Sequence, residues 1–176
     1  MAAFLKRSTR AVPVSFLAVL ALLALAAVPA QASGGGTTVT FQLPFHSVFT
    51  NRCNGDVANL SGTDTVTITT KPAAHGYTVN IRNAVPDLTG SRVLPEPPSP
   101  YTGADVEQNH QYVADPPYPS TVYDYHYTKL VPHSSGPTMY LVIFIKTVIA
   151  IDGTPGVPVF SGIYLTCAQP WNERDA

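Results

Sequence analysis

The chain has 176 residues, of which only 12% are charged, and its 10 lysines and arginines against 11 aspartates and glutamates give a formal net charge of −1. This balance argues against nucleic acid as a partner. The two cysteines form no Cys-x-x-Cys pair and the five histidines have no zinc-site spacing, so the sequence predicts no metal site and no cofactor.

Residues 1–32 have the layout of a secretory signal peptide. Cations within residues 6–10 precede an uncharged apolar run at residues 11–28, and an Ala-x-Ala site ends at Ala32. The run is near the lower limit of a membrane span, so an uncleaved anchor is the alternative, but the small-residue site favours cleavage. We therefore expect a secreted, extracellular domain at residues 33–176 without a stable membrane span. Cleavage would remove three cations and no carboxylate, which leaves a net charge of −4.

The secreted part is predicted to be a single all-β domain, because short runs of β-branched and aromatic residues alternate with Gly, Pro, Asn and Asp. After a flexible start at residues 33–37, the first strand covers residues 37–45, and Pro44 marks an edge or a bend. Residues 63–70 and 76–83 are predicted to pair as a hairpin.

The middle of the chain is rich in proline, which removes a backbone donor from a sheet. We expect two proline loops and a strand between them at residues 101–113. The loop prolines are Pro95, Pro97, Pro98, Pro100, Pro116, Pro117 and Pro119.

Residues 121–131 form a strand whose two faces differ in chemistry. One face carries three tyrosines. The other carries Asp124 and His126 together with Val122 and Thr128. In the simpler interpretation, which we favour at this point, the tyrosines cover a core and the polar face meets water.

The strongest strand signal is at residues 138–151, where both faces are largely apolar. We assign the face from Met139 to Ile151 to the core. The other face must be covered by a second layer or by a partner, because large apolar patches are rarely left exposed. A turn at Asp152 and Gly153 then leads to an antiparallel strand at residues 157–167, and residues 168–176 form a C-terminal tail.

In total, about 8–10 strands predict a single antiparallel β-barrel or β-sandwich. In an oxidising compartment the only two cysteines, Cys53 and Cys167, are expected to form a disulfide. The bond would bring an early part of the chain beside the final strand, which favours a closed sheet.

A motif near the start of the secreted part resembles a family of small exported bacterial proteins of unknown activity. These proteins share an Asn-x-Cys-x-Gly-Asp/Glu stretch, a following Ser/Thr-Gly-Thr and a final strand that ends in Thr-Cys. The corresponding residues here are Asn51, Cys53, Gly55, Asp56, Ser61, Gly62, Thr63, Thr166 and Cys167. The resemblance implies no activity, ligand or catalytic residue.

Three sets of residues could carry chemistry. Asp105 and Glu107 would share one face of a strand, at a separation compatible with the paired carboxylates of glycoside hydrolysis. Asp124 and His126, with His110 or His133 joining them in space, could form a metal site or a histidine–carboxylate base. The third set is a candidate aromatic binding surface that consists of Tyr123, Tyr125, Tyr127, Tyr140 and Phe144.

These observations favour an exported non-enzymatic β-domain that binds a small apolar ligand or a protein or glycan partner, or that forms a homo-oligomer. The alternatives are a small secreted barrel enzyme, either a hydrolase or an isomerase, and a structural or envelope-associated protein. The sequence contains no familiar nucleophile elbow, phosphate-binding loop or dinucleotide fingerprint.

Overall fold

The computed structural model describes residues 28–29, 35–104, 107–134 and 136–170. Its regular elements are strands of one sheet whose ladders are antiparallel, which confirms the predicted all-β class. Apart from two residues of β1, the predicted signal peptide lies outside the described residues. The strands are β1 (Val28–Pro29), β2 (Thr37–Thr50), β3 (Val57–Ala73), β4 (Gly76–Ala84), β5 (Thr89–Leu94), β6 (Ser99–Ala104), β7 (Gln108–Ala114), β8 (Ser120–Pro132), β9 (Met139–Ile149) and β10 (Val159–Thr166).

The sheet branches at the long strand β3. One edge of β3 pairs with β2 from end to end, whereas the other pairs with β5 near its start and with β4 near its end. One branch continues from β5 through β6, β8 and β9 to β10, and the other continues from β4 to β7. At the branch point the Thr63 backbone N–H donates to Asp87 Oδ1 at 2.7 Å instead of to a strand.

The two branches lie face to face over one apolar core. Alternate residues of β3 and β4, such as Ile68 and Ile81, are buried against alternate residues of β9, such as Ile143 and Ile145. The predicted core face of β9 is therefore confirmed from Met139 to Ile149, whereas Ile151, which was assigned to the same face, lies beyond the strand and is 79% exposed. Each of these side chains contributes about 1.5–3 kcal/mol through its burial.

The sheet is not closed into a barrel. Strands β2 and β10 meet through a single parallel bridge between Asn51 and Leu165, beside which the Arg52 N–H donates to the Leu165 carbonyl at 3.1 Å. Farther along, the rings of Phe45 and Phe160 meet, with centroids 6.2 Å apart. The closure that the disulfide suggested is thus limited to one end of these strands.

Two predictions for the proline-rich middle are wrong. Residues 101–113 are divided between β6 and β7, which belong to different branches. Pro100 lies in β6 opposite Ser91 rather than in a loop. Because it is the second residue of that strand and pairing with β8 begins only at Tyr101, its missing donor interrupts no ladder on that side. The other six prolines lie in loops, as predicted.

The predicted disulfide between Cys53 and Cys167 is present. It is carried by the turn between β2 and β3, where Asn51 Oδ1 accepts a hydrogen bond from the Cys53 N–H at 3.1 Å. Gly55 follows with a φ of 76°, a left-handed conformation that favours glycine. The turn is fixed to β5 by a buried ion pair between Asp56 and Arg92, 3.5 Å apart. In this chain the Asn-x-Cys-x-Gly-Asp motif therefore builds the turn that presents the disulfide.

In the part of the chain that the structure describes, no helix is long and apolar enough to cross a membrane.

Candidate functional site

The orientation of β8 is the reverse of the favoured prediction. Asp124 and His126 are only 2% and 1% exposed, whereas Tyr123 on the opposite face is 64% exposed. The polar residues share their face with Val122 and Leu130, which are buried in the core. The expectation that Asp124 and His126 meet water is wrong, because both side chains are buried between the two branches of the sheet.

Asp124 is the centre of a buried hydrogen-bonded cluster. Its Oδ1 accepts hydrogen bonds from His110 Nδ1 at 2.6 Å and from the Tyr112 hydroxyl at 2.5 Å. Its Oδ2 accepts one from Asn83 Nδ2 at 2.5 Å. The donors come from β4 and β7, so the cluster joins β8 to the other branch. Three such bonds offset much of the cost of burying a carboxylate.

His126 does not join this cluster. Its Nε2 lies 3.4 Å from Asp64 Oδ1, and among the described residues no hydrogen bond reaches the ring nitrogens of His126 or the carboxylate oxygens of Asp64. His133 is elsewhere, with Nε2 3.1 Å from Thr102 Oγ1. Of the proposed partners, the structure therefore brings only His110 to Asp124. The described residues contain no group of three or more side chains suited to a metal ion.

The outer surface of β8, β9 and β10 carries Tyr125, Phe144 and Tyr164, and the ring of His110 from β7 adjoins Tyr125. We call these four rings the aromatic row. Successive ring centroids are 5.5, 5.9 and 5.9 Å apart, and successive ring planes are tilted by 36°, 33° and 25°. The Arg52 guanidinium lies 4.1 Å from the centroid of Tyr164 and ends the row. This is the distance of a cation–π contact.

Two further predicted surface residues, Tyr127 and Tyr140, lie beside the aromatic row with centroids 6.0 Å apart. The Tyr127 hydroxyl accepts a hydrogen bond from Gln169 Nε2 at 3.1 Å. Val142 is directly opposite both Tyr127 and Tyr164 and is fully buried, although it does not belong to the core between the branches. The neighbouring rings therefore contribute to the burial of Val142 on the outer face of β9.

A depression of about 290 Å³ adjoins the Tyr164 end of the aromatic row. It is lined by Tyr164, Thr166, Ala168, Gln169 and Pro170. The depression combines an aromatic wall with hydroxyl and amide groups, and its volume is at the lower end of the range for small-molecule sites.

The predicted carboxylate pair is not assembled within the described residues. Glu107 forms an exposed salt bridge with Arg82 across β4 and β7. Asp105 lies outside the described residues.

Sequence reasoning missed several residues of the site, namely Arg52, Asp64, Asn83, Tyr112 and Tyr164. For two of them, Asp64 and Asn83, the alternation of residues along the strand indicated a buried position. Asp64 has the same parity as Val66 and Ile68, and Asn83 has the same parity as Val79 and Ile81, so alternation alone placed both on core faces.

No protein-family model, curated protein or solved structure matches this chain. The resemblance to small exported bacterial proteins therefore stays a prediction. The fold and the site define a disulfide-linked antiparallel β-domain with aromatic side chains on one outer face.

Proposed function

We propose that this chain is an exported binding module that holds its ligand against the aromatic row. The observation that carries the proposal is a line of three rings, Tyr125, Phe144 and Tyr164, on the outer face of a sheet whose core is already filled from the other side, with the His110 ring beside Tyr125. Aromatic side chains bury a large area with little loss of conformational entropy, and they are enriched at binding surfaces.

The packing of the interior favours a surface ligand over one held inside the fold. Buried aliphatic side chains from both branches meet in one cluster, including Leu60, Ile68, Leu141 and Ile143. An apolar ligand between the branches would have to displace them. Tyr125, Phe144 and Tyr164 are half-buried on the outer face, and a ligand held there would leave this cluster in place.

The test is a fragment screen followed by two-dimensional NMR, with small mono-aromatic compounds and monosaccharides as probes. We expect amide shifts to cluster around Tyr125, Phe144 and Tyr164. Phe144→Ala should abolish these shifts. Thr67→Ala is the matched control, because Thr67 lies on the outer face of β3 and bonds only to Thr40 among the described side chains. Shifts that map elsewhere, or that survive Phe144→Ala, would contradict the proposal.

A further inference from the structure

We infer that the ligand of the aromatic row is a carbohydrate, an extended glycan with one hydroxyl hydrogen-bonded to His110 Nε2. The inference rests on the proposed function and specifies the class of its ligand. It depends on the way Asp124 holds the His110 ring and on the spacing of the rings that follow.

The His110 ring presents its Nε2 edge at the surface. Its Nδ1 donates to Asp124, whose side chain is fully buried, whereas the His110 side chain is 20% exposed. His110 Nε2 is also not among the buried side-chain nitrogen and oxygen atoms that lack a hydrogen bond, so it is the accessible nitrogen of the ring. No hydrogen bond from the described part of the chain reaches this atom.

Asp124 also fixes which nitrogen of neutral His110 carries the proton. An ionised carboxylate only accepts hydrogen bonds, so Nδ1 must be the protonated nitrogen and the lone pair remains on Nε2. Tyr112 and Asn83 hold the carboxylate in place. Nε2 is thus a preorganised hydrogen-bonding group at one end of the aromatic row, an acceptor when the ring is neutral, which reduces the ordering cost of binding.

A glycan matches both features of this surface. The C–H faces of a sugar can lie against rings, and its hydroxyls can bond to polar groups at their edges. The ring spacing of 5.5–5.9 Å is close to the length of one sugar unit in an extended chain. A purely apolar ligand would instead leave His110 Nε2 without water and without a partner, which is costly.

The far end of the row is also polar. Arg52 ends it over Tyr164, and Gln169 lines the adjoining depression. A ligand that spans the row therefore meets polar groups at both ends and rings between them. This is the arrangement expected for a chain of sugars rather than for a lipid.

The experiment is calorimetric titration at pH 7.5 with cellohexaose, xylohexaose, chitohexaose and maltohexaose. We expect at least one to bind, and Phe144→Ala to abolish its binding. His110→Asn keeps a donor for Asp124 but removes Nε2, and His110→Phe keeps a ring but removes both nitrogens. Each should weaken binding about tenfold, the loss expected for one hydrogen bond. His133→Phe is the matched control and should leave the affinity unchanged.

Other occupants give different results. One contrary result is that none of the sugars binds, whereas the apolar dye anilinonaphthalene sulfonate binds to the unaltered protein and not to Phe144→Ala. This result would overturn the inference that the ligand is a carbohydrate, but it would support the proposal of a binding module. Light scattering tests a second occupant. If the protein is a dimer and Phe144→Asp dissociates it without unfolding, a second copy of the chain occupies the aromatic row, and the inference of a carbohydrate ligand is overturned. Sugar binding that survives Phe144→Ala would overturn the proposed function itself. Unchanged affinity in both His110 variants would overturn the role of Nε2.

Discussion

Asp124 connects the interior of the protein to the aromatic row. It is buried between the two branches, and its three donors include His110, the first ring of the row. The same carboxylate therefore holds β8 against β4 and β7 and sets the orientation of a surface residue. Removing it should affect stability first, because its donors would lose their common acceptor.

We predict that Asp124→Ala lowers the free energy of unfolding by about 3–5 kcal/mol, the usual loss when one partner is removed from a buried charged cluster. Asp115→Ala is the control. Asp115 is exposed, and its replacement should change the free energy by no more than about 0.5 kcal/mol. Urea unfolding at pH 7 measures both. A similar midpoint for the two variants would show that the cluster adds little stability.

Tyr101 links stability to alkaline pH. It is 1% exposed, and its hydroxyl donates to the Pro137 carbonyl at 2.9 Å. Burial raises the pKa of Tyr101 above its ordinary value of 10.0, the positive charge of Arg92 lowers that pKa, and the negative charge of Asp56 raises it. The net direction is upward, so the folded state favours the neutral phenol.

The sign of the pH effect follows from this direction. Below pH 10 the phenol of Tyr101 is neutral in the folded and unfolded states, and its stabilising effect is fully present. At higher pH the phenol ionises first in the unfolded chain. Stability is therefore lost as the pH rises through the pKa of Tyr101 in the folded state. We predict that Tyr101→Phe costs about 1 kcal/mol at pH 8 through its lost hydrogen bond. The gap to the unaltered protein should narrow above pH 10. Parallel curves of unfolding free energy against pH would contradict this.

At the scale of elements, Pro44 lies where its missing N–H is harmless to the sheet. The Asn51 N–H donates to the Asp56 carbonyl at 2.7 Å, and the register of β2 against β3 is unbroken. Odd-numbered residues of β2 therefore bond to β3, and even-numbered residues direct their backbone groups to the other edge. Among the described residues, β1 occupies that edge at Val39 and Thr40, and β10 reaches it only beyond the end of β2, at Asn51 and Arg52. Proline at position 44 removes one donor from an edge that another chain could join.

We predict that Pro44→Thr increases association of the protein, because it restores the missing N–H on the open edge of β2. Gln42→Thr is the control, since residue 42 has the same parity and already carries its N–H. Light scattering and thioflavin fluorescence during prolonged incubation would detect the change. Equal association of the two variants would show that Pro44 does not protect this edge.

Most strands could be predicted from the alternation of apolar and polar residues. Which face of a strand points into the core could not always be predicted in the same way. Residues 63–70, 76–83 and 121–131 all lie in strands as expected, and β9 covers residues 139–149 of the predicted 138–151. In β8, however, alternation separates two faces without saying which one is buried, and hydrophobicity favoured the tyrosines. The buried face is decided by donors on β4 and β7, which only the folded sheet brings to Asp124.

The aromatic surface could be predicted only in part, because some of its residues come from strands that are far apart in the sequence. Tyr125 and Phe144 are direct neighbours across β8 and β9, so the pairing of two adjacent predicted strands brings them together. His110 comes from the other branch, and Arg52 comes from the turn before β3. No local pattern in the sequence joins such distant segments.

At the scale of the whole molecule, the disulfide secures the one place where β2 and β10 meet. We predict that replacing both Cys53 and Cys167 by alanine lowers the free energy of unfolding by about 2–4 kcal/mol. Amide exchange should quicken at Arg52, whose N–H bonds to Leu165. Thermal unfolding of the unaltered protein with and without reductant provides an independent check. An unchanged midpoint would show that the bond contributes no stability.

The position of this bond also determines how the protein would respond to tension. Strands β3 to β10 all lie between Cys53 and Cys167 along the chain. A force that pulls Thr37 away from Gln169 would pass along β2, which is already extended, and then cross the disulfide. The enclosed strands would bear little load until a covalent bond broke. Tyr125, Phe144 and Tyr164 lie in those strands, so the aromatic row should keep its shape while the protein is under mechanical stress.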